Sequence, residues 1–489
     1  MNKKTILNIL GAQIGILGLS LLIPAFIALG YGEYDFKGFI LSALIAIIIG
    51  VPVWFFTRKS RTLSTKDGFL IVTSAWIVTA VIGALPFYFS GTIPNITDAF
   101  FESMSGVTTT GATIIGNPLT LPNLPLGIES LPHGILFWRS FIQWIGGMGI
   151  IVFTIAILPL LGIGGVQMFK AEVPGPVSDK LRPRVKETAK VLWLVYVGFT
   201  ALETLLLGLG GMNWFDAICH AFTTMPTGGF STMNASIGGW TSSIIHYIII
   251  FFMLMAGINF ALHFRAMSGN IKAYFRDYEF KIYIGIIFLV TIIIFIIVSL
   301  SDGGFTHIKF RDSLFQTVSI ITTTGYGTYD YELWGYFIQF ILVGLMFLGA
   351  MGGSTGGGMK LIRVFLIVKH SLMETRRLLH ARAIIPIRIG GRYIDESIIR
   401  NTLGFFLFYV AIFSLTAAAL TAMGIDITSA IGAAASAVGN IGPALGTFGP
   451  TDNYALLPDI GKWILSFAML LGRLEIFTVL ILFSRTFWK

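Results

Sequence analysis

The chain has 489 residues, of which 55% are hydrophobic and 12% charged, with a formal net charge of +9. A soluble domain carries about 25% charged residues, so too little polar surface is left here to face water, and lipid is the solvent that fits. The single cysteine, Cys219, excludes intrachain disulfides and any multi-cysteine metal site, and reads as a packing residue.

In chain order, two simple apolar spans come first, at about 6–30 and 38–57. The first is longer than the roughly 7–15 apolar residues of a signal-peptide core, and no small-residue cleavage pattern closes it. A pattern then recurs four times: a long apolar helix, a shorter Thr/Gly-containing segment too polar and too short to cross, and a second long helix. The expected helices are 69–90 and 135–161 around 97–116; 188–211 and 241–264 around 213–232; 279–300 and 335–380 around 309–328; and 397–423 and 461–485 around 426–447. Segments such as Phe280–Leu300, with Lys281 its only charge, are long enough to cross the roughly 30 Å hydrocarbon core. The alternating strands of a β-barrel are absent. The expected fold is an all-α polytopic membrane protein with ten crossings. Four pseudo-symmetric helix–pore loop–helix repeats surround one pore, and two N-terminal transmembrane helices precede them. The units are 1–66, the repeats 67–186, 187–277, 278–394 (with a broken helix and a cytoplasmic hairpin) and 395–489.

Basic residues gather between spans: Arg58, Lys59, Arg61 and Lys66; Lys180, Arg182, Arg184 and Lys186; Arg265, Lys272, Arg276 and Lys281; and a stretch from Lys360 to Arg400. The alternate loops hold Glu33, Asp35, Asp98, Glu129, Asp302, Asp330, Glu332 and Asp452. This alternation argues against a nucleic-acid partner, and the positive-inside rule then puts both termini in the cytoplasm.

Each short segment ends in a related stretch. They are Thr109, Thr110, Gly111 and Ala112; Thr227, Gly228, Gly229 and Phe230; Thr323, Thr324, Gly325 and Tyr326; and Asn440, Ile441, Gly442 and Pro443. Asp98, Asp216, Asp312 and Asp426 lie ahead of them and suit helix starts. A cation entering a membrane needs oxygen ligands in place of water, and rings of backbone carbonyls supply them. Glycine reaches the positive φ that aims successive carbonyls at one axis, and threonine adds an oxygen at the inner edge. Only the third copy, TTTGYG, keeps the Tyr-Gly pair of a potassium-channel filter, so fewer well-formed ion sites are expected than in a tetrameric channel. Close helix packing alone also uses Gly and Thr, but four copies at equivalent positions favour the pore.

These four loops are joined by Trp144–Ile150 (WIGGMGI), Asn259–Phe264 (NFALHF), Gly352–Lys360 (GGSTGGGMK) and Gly472–Phe477 (GRLEIF). With them the chain resembles, over essentially its whole length, the Trk/Ktr/HKT superfamily of potassium transporters. Within it the likeness is to the TrkH/TrkG subunits of bacterial Trk systems; the two leading spans favour these over KtrB-like members. The resemblance implies potassium uptake at the bacterial inner membrane, with selectivity carried by Gly111, Gly229, Gly325 and Gly442. It also implies a homodimer and control by a cytosolic, nucleotide-binding TrkA-like ring. Potassium is the transported ion, and no organic cofactor is expected on this chain. The fourth loop departs from Thr-x-Gly.

Six of the ten residues from Gly349 to Gly358 are glycine, which at about 1 kcal/mol each cannot hold a continuous helix. Unwound backbone at membrane depth must line a cavity, and the resemblance makes Gly349, Gly352, Gly353, Ser354, Thr355, Gly356, Gly357 and Gly358 a gating loop. A phosphate-binding loop is excluded because Met359 and Lys360 follow where Lys-Ser/Thr is required. Arg473, mid-span in the expected last helix, reads as a donor to gate-loop carbonyls, an electrostatic barrier or one half of a structural pair with a buried acid. Arg139 reads as a structural anchor, and His220 and His263 as packing residues. Residues 385–394 predict a small hairpin about Gly390-Gly391. The basic, half-apolar helix 369–382 before it suits lipid headgroups or a partner surface. A sodium- or proton-coupled symporter is the alternative to a simple pore. No nucleophile–base constellation, metal cluster or catalytic acid pair points to an enzyme.

Overall fold

The computed structural model describes residues 1–58, 64–116, 127–156, 181–301, 303–379, 387–390 and 392–489. Lys3–Ser20 and Leu22–Tyr31 run on as one 29-residue span, and Phe36–Phe56 returns beside it. The two cross on glycine. A Cβ placed at Gly50 would lie 2.8 Å from the Gly11 carbonyl and 3.0 Å from the Gly15 Cα, so small residues let the backbones touch. This hairpin is tied to the first repeat by polar bonds inside the apolar layer: Gln13 Nε2 donates to the Ala75 carbonyl at 3.0 Å and to Thr79 Oγ1 at 2.7 Å.

The four repeats follow. Their outer helices are Thr65–Phe89, Leu181–Leu209, Tyr278–Ser301 and Glu396–Ala422. Their re-entrant helices are Ile96–Val107, Trp214–Thr224, His307–Ile321 and Ile427–Gly439. Side chains cap every re-entrant helix, but three of the caps are not the acids expected from sequence. Asn95, Asn213 and Thr306 take the Thr97, Asp216 and Lys309 amides at 2.8, 2.8 and 3.3 Å, and only in the fourth does Asp426 cap, at 3.0 Å. Asp98 and Asp216 stand in the first turn, where their charge still complements the helix dipole.

The return helices differ most from expectation. His133–Ala156 is one unbroken helix as far as it is described. The second, expected as 241–264, breaks into Ser243–Gly257 and Phe260–Met267 with a 102° bend, the new helix capped by Asn259 at 2.9 Å. The third is split by the glycine-rich segment into Tyr336–Leu348 and Leu361–Leu379. The fourth, expected as 461–485, turns by 109° between Asp459–Arg473 and Phe477–Phe483, where Glu475 and Ile476 both take left-handed φ, 55° and 52°. Among the described residues seven helices are long and apolar enough to cross, nine with the two bent pairs; the split third return helix is the tenth expected crossing. The expected hairpin pairs Arg388 with Tyr393 and Ile389 with Arg392, Gly390 turning at φ 58°; residues 385, 386 and 391 lie outside the described residues.

The glycine crossing of the first two spans yields a direct test. Gly50→Val is expected to cost about 1–3 kcal/mol through overpacking. The measurement is thermal melting in detergent, where Gly50→Val must fall clearly below wild type.

Candidate functional site

All four re-entrant helices end in one backbone motif. The amide of Thr109, Thr227, Thr323 or Asn440 reaches back three residues, to the carbonyl of Gly106, Thr224, Ile320 or Ala437. The next amide, of Thr110, Gly228, Thr324 or Ile441, reaches back five, to Ser105, Thr223, Ser319 or Ser436. This is a Schellman cap, whose pivot residue must be left-handed, and the four pivots have φ of 52°, 57°, 60° and 55°. Left-handed threonine is strained because it is β-branched, whereas asparagine tolerates the shape. The fourth loop thus departs in sequence while keeping the geometry. Two residues on, Gly111, Gly229, Gly325 and Gly442 are left-handed again, at φ of 83°, 77°, 81° and 107°.

The four loops close into a ring, each packed on the next in chain order. A Cβ on Gly111 would strike the Gly228 carbonyl; on Gly229, that of Thr324; on Gly325, that of Ile441; and on Gly442, that of Thr110 at 2.7 Å. In every case the obstacle is the carbonyl just before the neighbouring loop's glycine. The side chains of Thr109, Thr110, Thr227, Thr323, Thr324 and Asn440 are fully buried. Tyr326 turns its hydroxyl into the second repeat, against Thr223 Oγ1, the His220 carbonyl at 3.2 Å and Thr224 Oγ1 at 3.3 Å. Its own carbonyl takes the Ser319 hydroxyl at 2.7 Å. The Gly228 carbonyl takes Gln143 Nε2 at 2.7 Å, and that of Gly442 takes Ser436 Oγ and Tyr454 OH at 2.9 and 3.0 Å. These oxygens brace the ring.

Behind the ring lies a buried ion pair. Arg139 Nε meets Glu102 Oε1 at 2.9 Å, and its other nitrogens reach the Ser231 carbonyl and Thr113 Oγ1, both at 3.2 Å. Glu102 also accepts from the Ile114 amide at 3.0 Å. The pair fastens the outgoing legs of the first and second loops, the anchoring expected of Arg139. Glu102 and Gln143 are polar side chains in apolar helices, the only signal that pointed to them. His220 is satisfied by the Asp216 carbonyl and Ser231, and His263 by Tyr274 and the Met255 carbonyl.

On the side where the re-entrant helices end, the glycine-rich loop lies against the ring. The Gly357 amide donates to Thr323 Oγ1 at 2.6 Å, and Thr355 Oγ1 to the Met225 and Ala256 carbonyls at 2.9 and 3.1 Å. The Met351 amide donates to the Gly257 carbonyl, and the Phe260 amide to that of Gly353, both at 3.1 Å. The bend in the second return helix is therefore the socket for this loop. Glu279 Oε1 takes the Gly352 and Ile362 amides at 2.8 and 3.2 Å. Arg473 Nη1 donates to the Thr355 carbonyl at 2.7 Å, while its Nε and Nη2 are buried without a hydrogen-bond partner among the described residues. Arg473 ends a helix at the sharp turn in the middle of the bent last span, where a continuous helix was expected; the nearby acid, Glu475, pairs with Arg363 at 2.6 Å. Ser354 Oγ bonds within the loop, to the Met351 carbonyl at 2.6 Å. Gly349, Gly353 and Gly358 have φ of 68°, 76° and 70°. Among the described residues no three His, Cys, Asp or Glu side chains are grouped to hold a metal ion.

Four half-helices re-entering an apolar bundle and meeting in a ring of left-handed backbone define a pore-loop transport protein. The particular family is settled by comparison: the model of the TrkH family, described as cation transport protein, matches residues 36–489, and the chain belongs to that family. It is 42% identical over 495 residues to the Trk system potassium uptake protein TrkH of Escherichia coli (strain K12), covering 100% of both chains. It is 36% identical over 496 residues to the Trk system potassium uptake protein TrkG of the same organism, covering 99% of both. The crystal structure of the potassium transporter TrkH from Vibrio parahaemolyticus superposes with a TM-score of 0.90 at 38% identity, covering 100% of both chains.

The anchor behind the ring can be tested. Arg139→Leu strands the Glu102 charge and should cost about 3–5 kcal/mol. Adding Glu102→Leu should restore part of that loss in melting experiments, the mark of an uncompensated charge and not of lost volume.

Proposed function

We propose that the chain takes up potassium through the ring, with the left-handed glycines Gly111, Gly229, Gly325 and Gly442 at its narrowest part. One observation carries this reading: each glycine packs on the next loop's carbonyl, closing a four-membered ring in which no side chain fits. Carbonyls of Thr110, Gly111, Gly229, Thr324, Gly325 and Ile441 would take the place of the ion's water. Thr109, Thr227, Thr323 and Asn440 would add side-chain oxygens at the inner edge. Oxygens of Gly228, Tyr326 and Gly442 already committed to protein donors fit a short queue of sites. The glycine-rich loop, held by Arg473 across the ring's inner side, is the gate. A cytosolic TrkA-like nucleotide-binding ring would control it through the basic face of Leu361–Leu379 and the hairpin. The protein would work as a homodimer among inner-membrane lipids, with both termini in the cytoplasm, the orientation the charge pattern favours.

A second reading, ion-coupled symport, draws on one observation. Glu203 is fully buried in an outer helix, and no ion pair offsets its carboxylate among the described residues. Buried intramembrane carboxyls mark proton or ion pathways elsewhere. Reversal potentials measured against sodium and pH gradients separate the two: a pore follows potassium alone.

Gly325→Ser tests the filter. Its Cβ has nowhere to go but the Ile441 carbonyl, at a φ of 81°. In proteoliposomes the wild type should favour potassium over sodium, and the variant should lose that preference. Unselective flux unchanged by the substitution would sink the assignment.

A further inference from the structure

The four pivots of the ring differ in what their side-chain oxygens do. Thr109 Oγ1 and Asn440 Oδ1 are buried with no hydrogen-bond partner among the described residues. Thr227 Oγ1 donates to the Pro226 carbonyl at 2.5 Å, which leaves its lone pairs open. Thr323 Oγ1 alone accepts from the loop, taking the Gly357 amide at 2.6 Å. A hydroxyl oxygen has two lone pairs, and this donor holds one of them.

The peptide that supplies that amide is polarised from its other end. The Gly356–Gly357 peptide presents its N–H to Thr323 and its carbonyl, that of Gly356, to Lys360 Nζ. An ammonium ion on the oxygen draws electrons through the peptide and makes the N–H a stronger donor, as in any hydrogen-bonded chain. Lys360 is held in place by its own left-handed backbone, at φ 70°, and reaches Ser354 Oγ at 3.5 Å. The fit leaves room only for glycine. A Cβ at Gly356 would stand 2.9 Å from the Thr322 carbonyl, and one at Gly357 would stand 3.0 Å from Asn440 Cβ and collide with the Gly439 carbonyl.

We propose that Lys360, acting through the Gly356–Gly357 peptide, presents a surrogate positive charge to Thr323 Oγ1 in the closed state, so that loop closure and a potassium ion at the ring's innermost position exclude one another. This rests on reading the loop as a gate. Because linkage is reciprocal, raising potassium at constant ionic strength opens the loop, and opening it strengthens potassium binding at the inner edge. Lys360 is a positioning residue: it acts on the ion only through the peptide it polarises.

The test is resting potassium flux through the full chain in proteoliposomes, for Thr323→Val, Thr323→Ser, Lys360→Met, the Thr323→Val/Lys360→Met double variant and Arg473→Ala. Losing one hydrogen bond of about 1 kcal/mol should raise resting flux roughly fivefold in Thr323→Val and in Lys360→Met. Thr323→Ser, which keeps the hydroxyl, should raise resting flux less than Thr323→Val does. The double variant should rise no further than either single one, since both remove the same relay. A purely ligating role for Thr323 predicts the opposite sign, lower flux in Thr323→Val. Wild-type hydrogen exchange gives a reading that needs no variant: exchange at the Gly357 amide should quicken as potassium replaces sodium. Lower or unchanged flux in Thr323→Val and Lys360→Met beside a raised flux in Arg473→Ala would overturn the relay and leave the gate standing. Unchanged flux in all three would overturn both, and so would additive singles or potassium-independent exchange overturn the relay.

Discussion

Everything in this molecule hangs on how backbone is satisfied where four helices stop inside an apolar layer. A helix that ends in water leaves its last carbonyls to the solvent; one that ends among lipid-facing helices must find each group a partner or leave it facing a cavity. Here the solution is the same four times over. The Schellman cap returns two amides to the helix, and the chain then leaves in a left-handed step that lines the ring with main chain. Ring closure follows, because each left-handed glycine must accept the neighbouring carbonyl against its bare α-carbon. The outer scaffold exists to make that contact possible, which explains why its strongest polar devices, the Arg139–Glu102 pair and Gln143, are aimed at the legs of the loops.

Strain is distributed unevenly round the ring. Three pivots are threonines forced left-handed and the fourth is an asparagine that accepts the shape. Asn440 also spends its amide, giving Nδ2 to Thr110 Oγ1 at 3.0 Å and to the Met469 carbonyl at 2.9 Å. It so links the first loop to the last helix, which no threonine could span. The fourth repeat trades a hydroxyl for a cross-brace, and the ring is closed by a side chain at the seam between the last and first loops.

How much of this the sequence disclosed follows from the range of each interaction. Apolar spans, the fourfold recurrence and the glycines at 111, 229, 325 and 442 are local features, read from a window of residues. The run Gly349–Gly358 announced its broken helix through propensity alone. The bends at Gly257–Phe260 and Arg473–Phe477 were not legible, because neither carries proline or a glycine run. Ile258 and Asn259 leave the helix to receive a loop about ninety residues further on, as the Met351–Gly257 and Phe260–Gly353 bonds record. The caps were misread for a similar reason. Asp and Asn are close to equal at that position, and only the register of the folded helix chooses between Asn95 and Asp98.

The glycine-rich loop is the place where these long-range demands converge. It donates hydrogen bonds to the ends of the second and third re-entrant helices, packs on the fourth, and has its carbonyls taken by two basic side chains, Arg473 and Lys360. Acids close by are already committed, Glu475 to Arg363 and Glu279 to two backbone amides. Basic side chains thus outnumber uncommitted acids beside the ring proposed to bind cations. Left-handed Lys360, Glu475 and Ile476 add strain of order 1–3 kcal/mol each at the same spot. An arrangement that combines like charge, strained backbone and glycine hinges depends on its hydrogen bonds to hold it. The proposed gate would draw on this: a permanent plug would use leucine, whereas glycine held by a few strained polar contacts can be released.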